Sequence, residues 1–257
     1  NEEDLLAGPG LDPSRDIVLG GGSNIVFASD VPGTVWHNAI RGRAVVEEHD
    51  GQVLLEVGAG EDWHGLVRWS LEQGLCGLEN LSLIPGRVGA APIQNIGAYG
   101  VELSSVLDSV TAWDWRRATW LNFDREACRL SYRDSLFKSG VRDRYLITSI
   151  RLRLTRAFAP QLDYAGLREE LRAAGLDRPT ALDVSDAVIR IRRRKLPDPA
   201  VSGNAGSFFK NPVVDADTGS FLRFDYPSTL PPPAVRRIGE IVRRLIPTLG
   251  LESTLFN

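Results

Sequence analysis

Gln94, Asn95 and Tyr99 stand in a run rich in glycine, proline and small residues, Leu83 to Leu103, LIPGRVGAAPIQNIGAYGVEL. Its glycines let the backbone come close to a ligand and take positive φ. Pro85 and Pro92 prevent one continuous helix. Many backbone N–H donors beside little side-chain bulk suit a phosphate group or a flat cofactor. The plainer reading of this run alone is an irregular buried connection, although long structureless loops in compact domains are usually functional. Upstream lies a second donor-rich segment, Asp16 to Phe27, DIVLGGGSNIVF. An apolar strand enters Gly20-Gly21-Gly22-Ser23-Asn24 and leaves into a second apolar run, which is expected to be a strand as well. No Gly-Lys-Ser/Thr follows, and the third glycine and the helix of a dinucleotide fingerprint are missing. What remains is a strand–turn–strand whose N–H groups suit a pyrophosphate, or simply a turn.

Three further stretches hold short motifs: Leu130 to Lys138, LSYRDSLFK; Gln161 to Leu167, QLDYAGL; and Lys195 to Pro212, KLPDPAVSGNAGSFFKNP. Taken as bare residues, Arg133 is an anion-binding guanidinium or a surface arginine in a turn. Ser207 alone is a serine in a glycine-rich turn, Phe208 and Phe209 are core residues, and Tyr164 is a half-buried tyrosine. All five segments together, in order from about Asp16 to about Pro233, resemble the UDP-N-acetylenolpyruvoylglucosamine reductases in their longer subtype. These are flavoenzymes of bacterial cell-wall precursor synthesis. Five ordered motifs at family-like spacing are far more specific than any one of them.

The resemblance implies an FAD-dependent oxidoreductase acting on a CH–CH group. NADPH is its co-substrate, FAD is held non-covalently, and UDP-N-acetylglucosamine enolpyruvate becomes UDP-N-acetylmuramate for peptidoglycan. It places Gly20, Gly21, Gly22, Ser23, Asn24, Ile84, Pro85, Gly86, Gly89, Gln94, Asn95, Gly97, Ala98 and Tyr99 at the cofactor. It places Tyr132, Tyr164, Lys195, Lys210 and Asn211 at the UDP-sugar, with Tyr164 able to stack on uracil. Arg133 and Ser207 carry the catalysis. Hydride reaching the terminal methylene carbon leaves charge on its neighbour and on the carboxylate, which is costly in a dry site unless cations or donors face it. Arg133, always charged and able to pair twice with a carboxylate, meets that need. Ser207 matches the serine that protonates the carbanionic carbon.

The implied fold class is α+β, a two-part FAD-binding domain followed by a smaller α+β substrate-binding domain. The expected division is residues 1–40 and 41–157 for the two FAD-binding subdomains and 158–257 for the substrate-binding domain. That last domain is incomplete relative to the family, and the family's opening segment is also missing. Thr254 of Leu251-Glu252-Ser253-Thr254 stands where the family has its second acid. Glu252, two residues away, is about 6–7 Å off along a strand. A second function from a different class therefore stays open: a flavin-binding protein on the same scaffold that has lost turnover.

In the 257-residue chain, hydrophobic content of 43% and charged content of 25% are ordinary for a globular protein. A net charge of −3 gives no general attraction to nucleic acid or anionic membrane. No apolar run approaches the roughly 20 residues that span a bilayer, and no signal peptide is visible. A cytoplasmic monomer without nucleic-acid or membrane partners is expected. Cys76 and Cys128 lack metal-ligand spacing and are expected to be reduced and buried. His37, His49 and His64 are scattered, so no metal site is expected.

The elements that must position these residues are legible in outline. Ile17 to Leu19 and Thr34 to Trp36 are predicted strands. VVEEH and QVLLEV flank Asp50-Gly51, a pair that favours a type I′ hairpin turn. Asp62 is a cap for a helix with Trp63, Leu66, Val67 and Leu71 on one face, ended by Gly74. Ser109 to Phe123 is a predicted hairpin around Arg116-Arg117, and Tyr145 to Leu154 alternates as a strand. Leu167 to Ala174 and Val184 to Arg194 are predicted helices. The cluster Arg190, Arg192, Arg193, Arg194 and Lys195 is expected to be, for most of its arginines, a solvated helix end that complements the macrodipole. Leu230 to Pro233 is a break before a short amphipathic helix that carries Val235 to Leu245.

Overall fold

Alternation of apolar and polar residues, broken by turn residues, produces one five-stranded antiparallel sheet. It appears in a computed structural model that describes residues 10–196, apart from positions 13, 26, 28, 142 and 165. Its strands are β3 (Arg43–His49), β4 (Gln52–Gly58), β7 (Leu107–Asp114), β8 (Thr119–Asp124) and β9 (Tyr145–Thr155). Their order across the sheet is β3-β4-β9-β7-β8, which puts the longest strand, β9, in the middle. Asp50 (φ 48) and Gly51 (φ 73) join β3 to β4 with both turn residues left-handed, as a type I′ turn requires. Val53, Leu55 and Val57 of β4 and Ile150 and Leu152 of β9 are fully buried.

Helix α1 (Trp63–Glu72) covers this core with Trp63, Leu66, Val67 and Leu71. The Asp62 carboxylate caps it by accepting the Gly65 N–H at 2.8 Å. At its far end Gly74 (φ 70) lets the Leu75 N–H return to the Ser70 carbonyl at 2.8 Å. The two predictions for this helix, its cap and its apolar face, are both met.

Two later helices, α2 (Leu167–Ala173) and α3 (Ala181–Lys195), build a second, smaller core from Leu167, Leu171, Val184, Ala187, Val188 and Ile191. Tyr99 belongs to that core as well. Helix α3 begins three residues earlier than the predicted Val184 because Thr180 and Asp183 form a reciprocal capping box. Arg68 of α1 bonds both Ser185 Oγ (2.9 Å) and Asp186 Oδ1 (2.6 Å) of α3, tying the two helices together.

One expected strand is absent. Strand β1 (Ile17–Leu19) runs into the glycine turn, but residues 25 and 27 carry no strand, and Ile25 and Phe27 are 45% and 54% exposed. The partner of β1 is instead β2 (Val35–His37), parallel, with Ile17 opposite Val35. A parallel pair needs a long crossover, and the run after the glycines belongs to that crossover. The predicted break and helix beyond Leu230 lie outside the described residues.

Candidate functional site

The two glycine-rich segments meet. Asn24 Nδ2 donates to Gln94 Oε1 at 3.4 Å across seventy positions of sequence. A side chain on Gly21 would place its Cβ 3.3 Å from Gly86 Cα, and one on Gly86 would lie 3.0 Å from Ser23 Oγ. A Cβ on Gly20 would touch Arg87. Glycine is needed here for close passage of one backbone past another. Among the described residues, no acceptor meets the N–H groups of Gly20, Gly21, Gly22 or Ser23. The turn is exposed at Gly21–Asn24, and Gly22 (φ 68) has open space beside it. Free donors in an open turn fit the phosphates of a dinucleotide cofactor.

The long loop is more ordered than its composition suggests. A short helical turn at Glu79–Leu81 precedes it, and it comprises another at Val88–Ala90, then the hairpin β5 (Gly97–Ala98) and β6 (Val101–Glu102). Tyr99 (φ 50) and Gly100 (φ 81) form the hairpin turn. Leu83 (φ 57), Asn95 (φ 44) and Arg133 (φ 56) are also left-handed without being glycine. Such conformations cost energy and gather where a site over-determines its backbone.

Asn95 is fully buried and its side chain is spent within the protein. Its Nδ2 donates to Glu102 Oε2 and the Ser131 carbonyl, and its Oδ1 accepts the Ser104 N–H. That side chain braces the loop. Gly89 also serves packing, because a Cβ there would lie 2.5 Å from Ala59 Cβ.

The Tyr-Arg-Asp-Ser segment is bolted to the same loop at three points. Besides the Asn95 bond to Ser131, Ser135 Oγ donates to the Ile93 carbonyl at 2.7 Å and Arg133 Nη2 to the Gly97 carbonyl at 3.0 Å. Lys138 Nζ holds the Arg133 carbonyl at 3.2 Å. The Arg133 guanidinium sits 5.9 Å from the centre of the Tyr132 ring. Arg133 and the glycine-rich loop are thus brought together.

Tyr99 connects these groups to the smaller core of α2 and α3. Its ring meets that of Tyr164 edge-on, with centroids 4.9 Å apart. Asn80 Nδ2 bonds the Tyr99 and Gln161 carbonyls, both at 2.8 Å. Burial raises the Tyr99 hydroxyl above its ordinary range, while a hydrogen bond with Arg192 pulls the other way. Lys195, exposed, is the last residue of α3. Ser207, Lys210, Asn211, Glu252 and Thr254 lie outside the described residues.

Arg192 is the functional candidate that the sequence reading missed. The arginine cluster is not simply a solvated end. Arg190 and Arg194 both bond Glu170 of α2, and Arg192 turns inward to Tyr99 with its Nε buried and without a partner among the described residues. Burial lowers the affinity of Arg192 for its proton. The missed signal is helical spacing. Val184, Val188, Ile191 and Arg192 share one stripe of α3.

His64 is half-buried and its Nδ1 accepts the Leu83 N–H at 3.0 Å, so it has a structural partner. Among the described residues no group of three or more His, Cys, Asp or Glu is placed to hold a metal ion. Cys76 and Cys128 are free thiols and buried. No described helix is long and apolar enough to cross a membrane.

Residues 15–123 match the family described as an FAD binding domain. The chain is 57% identical over 211 residues to the UDP-N-acetylenolpyruvoylglucosamine reductase of Pseudomonas aeruginosa, spanning 82% of this chain and 62% of that protein. The reductase of the same name from Dechloromonas aromatica is 50% identical over 231 residues, spanning 89% and 68%. Among solved structures, the crystal structure of UDP-N-acetylenolpyruvylglucosamine reductase from Thermus caldophilus is similar with a TM-score of 0.58 and 26% identity, covering 82% of this chain and 65% of that one. The chain therefore spans roughly two thirds of the length of these relatives.

Proposed function

The chain belongs to the UDP-N-acetylenolpyruvoylglucosamine reductase family, and from that premise we propose that it uses NADPH to reduce UDP-N-acetylglucosamine enolpyruvate to UDP-N-acetylmuramate. FAD is its bound cofactor, held non-covalently between Gly20–Asn24 and the loop from Ile84 to Tyr99. Bound there, FAD supplies a hydride store that separates NADPH oxidation from substrate reduction. The N–H groups of Gly20 to Ser23 take its phosphates. Gly86 keeps the opposing loop thin enough to approach.

The observation that carries the reading is the Arg133 bond to the Gly97 carbonyl. It fixes an obligate cation at the edge of the cofactor loop, where a substrate carboxylate gathers charge during reduction. Tyr164, edge-on to Tyr99, and Lys195, at the end of α3, suit the uracil and diphosphate of the UDP-sugar, and the family resemblance assigns Tyr132, Lys210 and Asn211 to the same ligand. Ser207 donates the proton to carbon. Residues 1–40 and 41–157 divide the cofactor side and 158–257 form the substrate side. A cytoplasmic monomer follows from the family resemblance.

The test uses the purified protein and two half-reactions. It should be yellow, and acid should release all the flavin into the supernatant, since neither loop holds a histidine or cysteine to anchor it. NADPH should bleach the flavin, and the enolpyruvyl substrate should restore its colour with formation of UDP-N-acetylmuramate. In Ser207→Ala the first step should keep its rate and the second should slow by about 10²–10⁴-fold. Equal slowing of both would make Ser207 structural. A yellow protein that NADPH bleaches and no substrate reoxidises would leave flavin binding without turnover.

A further inference from the structure

Within the Leu81–Gly86 stretch Ser82 bonds the Glu79 carbonyl and Ser185 Oγ of α3, and the start of α1 holds the stretch at three further points. Trp63 Nε1 donates to the Leu81 carbonyl at 3.0 Å. The Trp63 N–H donates to the Gly86 carbonyl at 3.1 Å. Between these two clamps, His64 Nδ1 accepts the N–H of Leu83 at 3.0 Å. Leu83 is the one non-glycine residue of the stretch with positive φ, and at its end a Cβ on Gly86 would lie 3.0 Å from Ser23 Oγ and one on Gly21 3.3 Å from Gly86 Cα. Of the three clamps only the imidazole titrates near neutrality.

We propose that His64 is a positioning residue for the cofactor: its neutral ring holds the Leu83–Gly86 turn against Gly20–Ser23, and its protonation releases that turn. A protonated ring carries hydrogen on both nitrogens and accepts from neither. Once Nδ1 carries a proton it faces the Leu83 N–H donor to donor, and the left-handed Leu83 loses the bond that offsets its strain. The groups that face the ring favour the neutral form. Burial is the leading cause. Arg68 on its own helix and Arg192 and Arg193 on α3 add to it, against Asp62 alone. The His64 proton affinity is therefore lowered below the ordinary histidine value of 6.5. The clamp is present above that value and is lost as pH falls through the lower, folded-state value. The inference rests on the flavin reading above, and its test separates the two.

The experiment measures FAD affinity by fluorescence quenching from about pH 5 to pH 8 for the parent protein, His64→Asn and His64→Phe. Amide hydrogen exchange at Leu83 to Gly86 is followed in the flavin-free protein over the same range, corrected for intrinsic rates. Asparagine places an acceptor oxygen where Nδ1 stands and does not titrate. Phenylalanine removes the acceptor. The parent should lose affinity about 3- to 10-fold toward acid, the worth of one hydrogen bond. His64→Asn should bind like the parent at neutral pH and stay flat. His64→Phe should bind weakly at every pH. The Leu83 amide should lose protection in acid in the parent and keep it in His64→Asn. If His64→Asn follows the parent pH profile in exchange, the proposal is overturned whatever the flavin does. If FAD fails to bind any of the three while Leu83 protection still tracks His64, the cofactor reading falls and the clamp stands.

Discussion

Arg133 donates through Nη2 to the carbonyl oxygen of Gly97, 3.0 Å away, so the cation of the site and its glycine loop are one mechanical piece. A guanidinium makes this bond with one arm and keeps others free for a carboxylate. Lysine is a point charge on a flexible stem and cannot do both in fixed geometry. Under the proposed reaction, Arg133→Lys should keep its flavin and lower kcat/KM for the enolpyruvyl substrate by about 10²-fold or more. Steady-state NADPH oxidation read beside the flavin-to-protein absorbance ratio checks this. An unchanged kcat/KM would make Arg133 a loop brace only.

Gly21 and Gly97 differ as probes of the proposed cofactor cradle. At Gly21 a Cβ would meet Gly86 Cα at 3.3 Å, one loop against the other. Gly21→Val should therefore spread the two loops and abolish flavin retention on gel filtration, with the circular dichroism unchanged. At Gly97 a Cβ would lie 3.0 Å from Glu102 Cγ and 3.2 Å from the Val101 carbonyl, inside its own hairpin. Gly97→Val should lose flavin and thermal stability together. A Gly21→Val protein that elutes fully yellow would show that the turn is structural.

Local chemistry was legible in the sequence wherever a short segment decides its own form. Asp50-Gly51 announces its turn because both residues must be left-handed, and Asp62 announces its helix because it supplies the missing acceptor. What stayed hidden depends on distant partners. Nothing near Ile17 says that its neighbour is Val35, so the apolar Ile25 and Phe27 attracted a strand that does not form. Asn95 looks like a ligand contact in a loop of small residues, yet Glu102, Ser104 and Ser131 consume its polar atoms. Arg192 was hidden for a different reason. It sits among other arginines, and only its four-residue spacing from Val188 on the buried stripe of α3 sets it apart from them.

The two thiols offer a check on the core. Burial, with a smaller push from Asp124, raises the Cys128 thiol to about 12. Burial and then Glu79 raise Cys76 as well. The thiolate is the reactive form, and at pH 8 a group at about 12 is ionised in roughly one molecule in ten thousand. In the folded protein Cys128 should stay unlabelled by a thiol-exchange reagent at pH 8. It should react promptly in denaturant. Rapid labelling of Cys128 in the folded state would show that the β8 edge opens far more readily than its packing implies.

Asp114, at the end of β7, gives an acid-dependent contribution to stability. Its side chain is fully buried, yet it accepts Arg144 through Nη2 (2.8 Å) and Nε (3.2 Å) and the N–H groups of Arg116 and Arg117. Burial acts to raise its proton affinity, but these donors outweigh it, and the carboxyl lies below the ordinary 3.8. The unfolded chain then binds the proton more readily than the folded one, so stability falls as the carboxylate protonates. The contribution is whole above 3.8 and disappears as pH drops through the folded value. Asparagine keeps the shape but removes the charge and turns an N–H₂ toward donors. Asp114→Asn should lower the thermal midpoint at neutral pH by roughly 5 °C. The gap between parent and variant should then narrow in acid, as the parent loses what the variant never had. Other carboxylates titrate in the same range, so the difference between the two curves isolates Asp114. Thermal unfolding followed by circular dichroism from about pH 7 down to about pH 2 measures it. A gap that stays constant to the acid end would mean that the pair with Arg144 contributes shape alone.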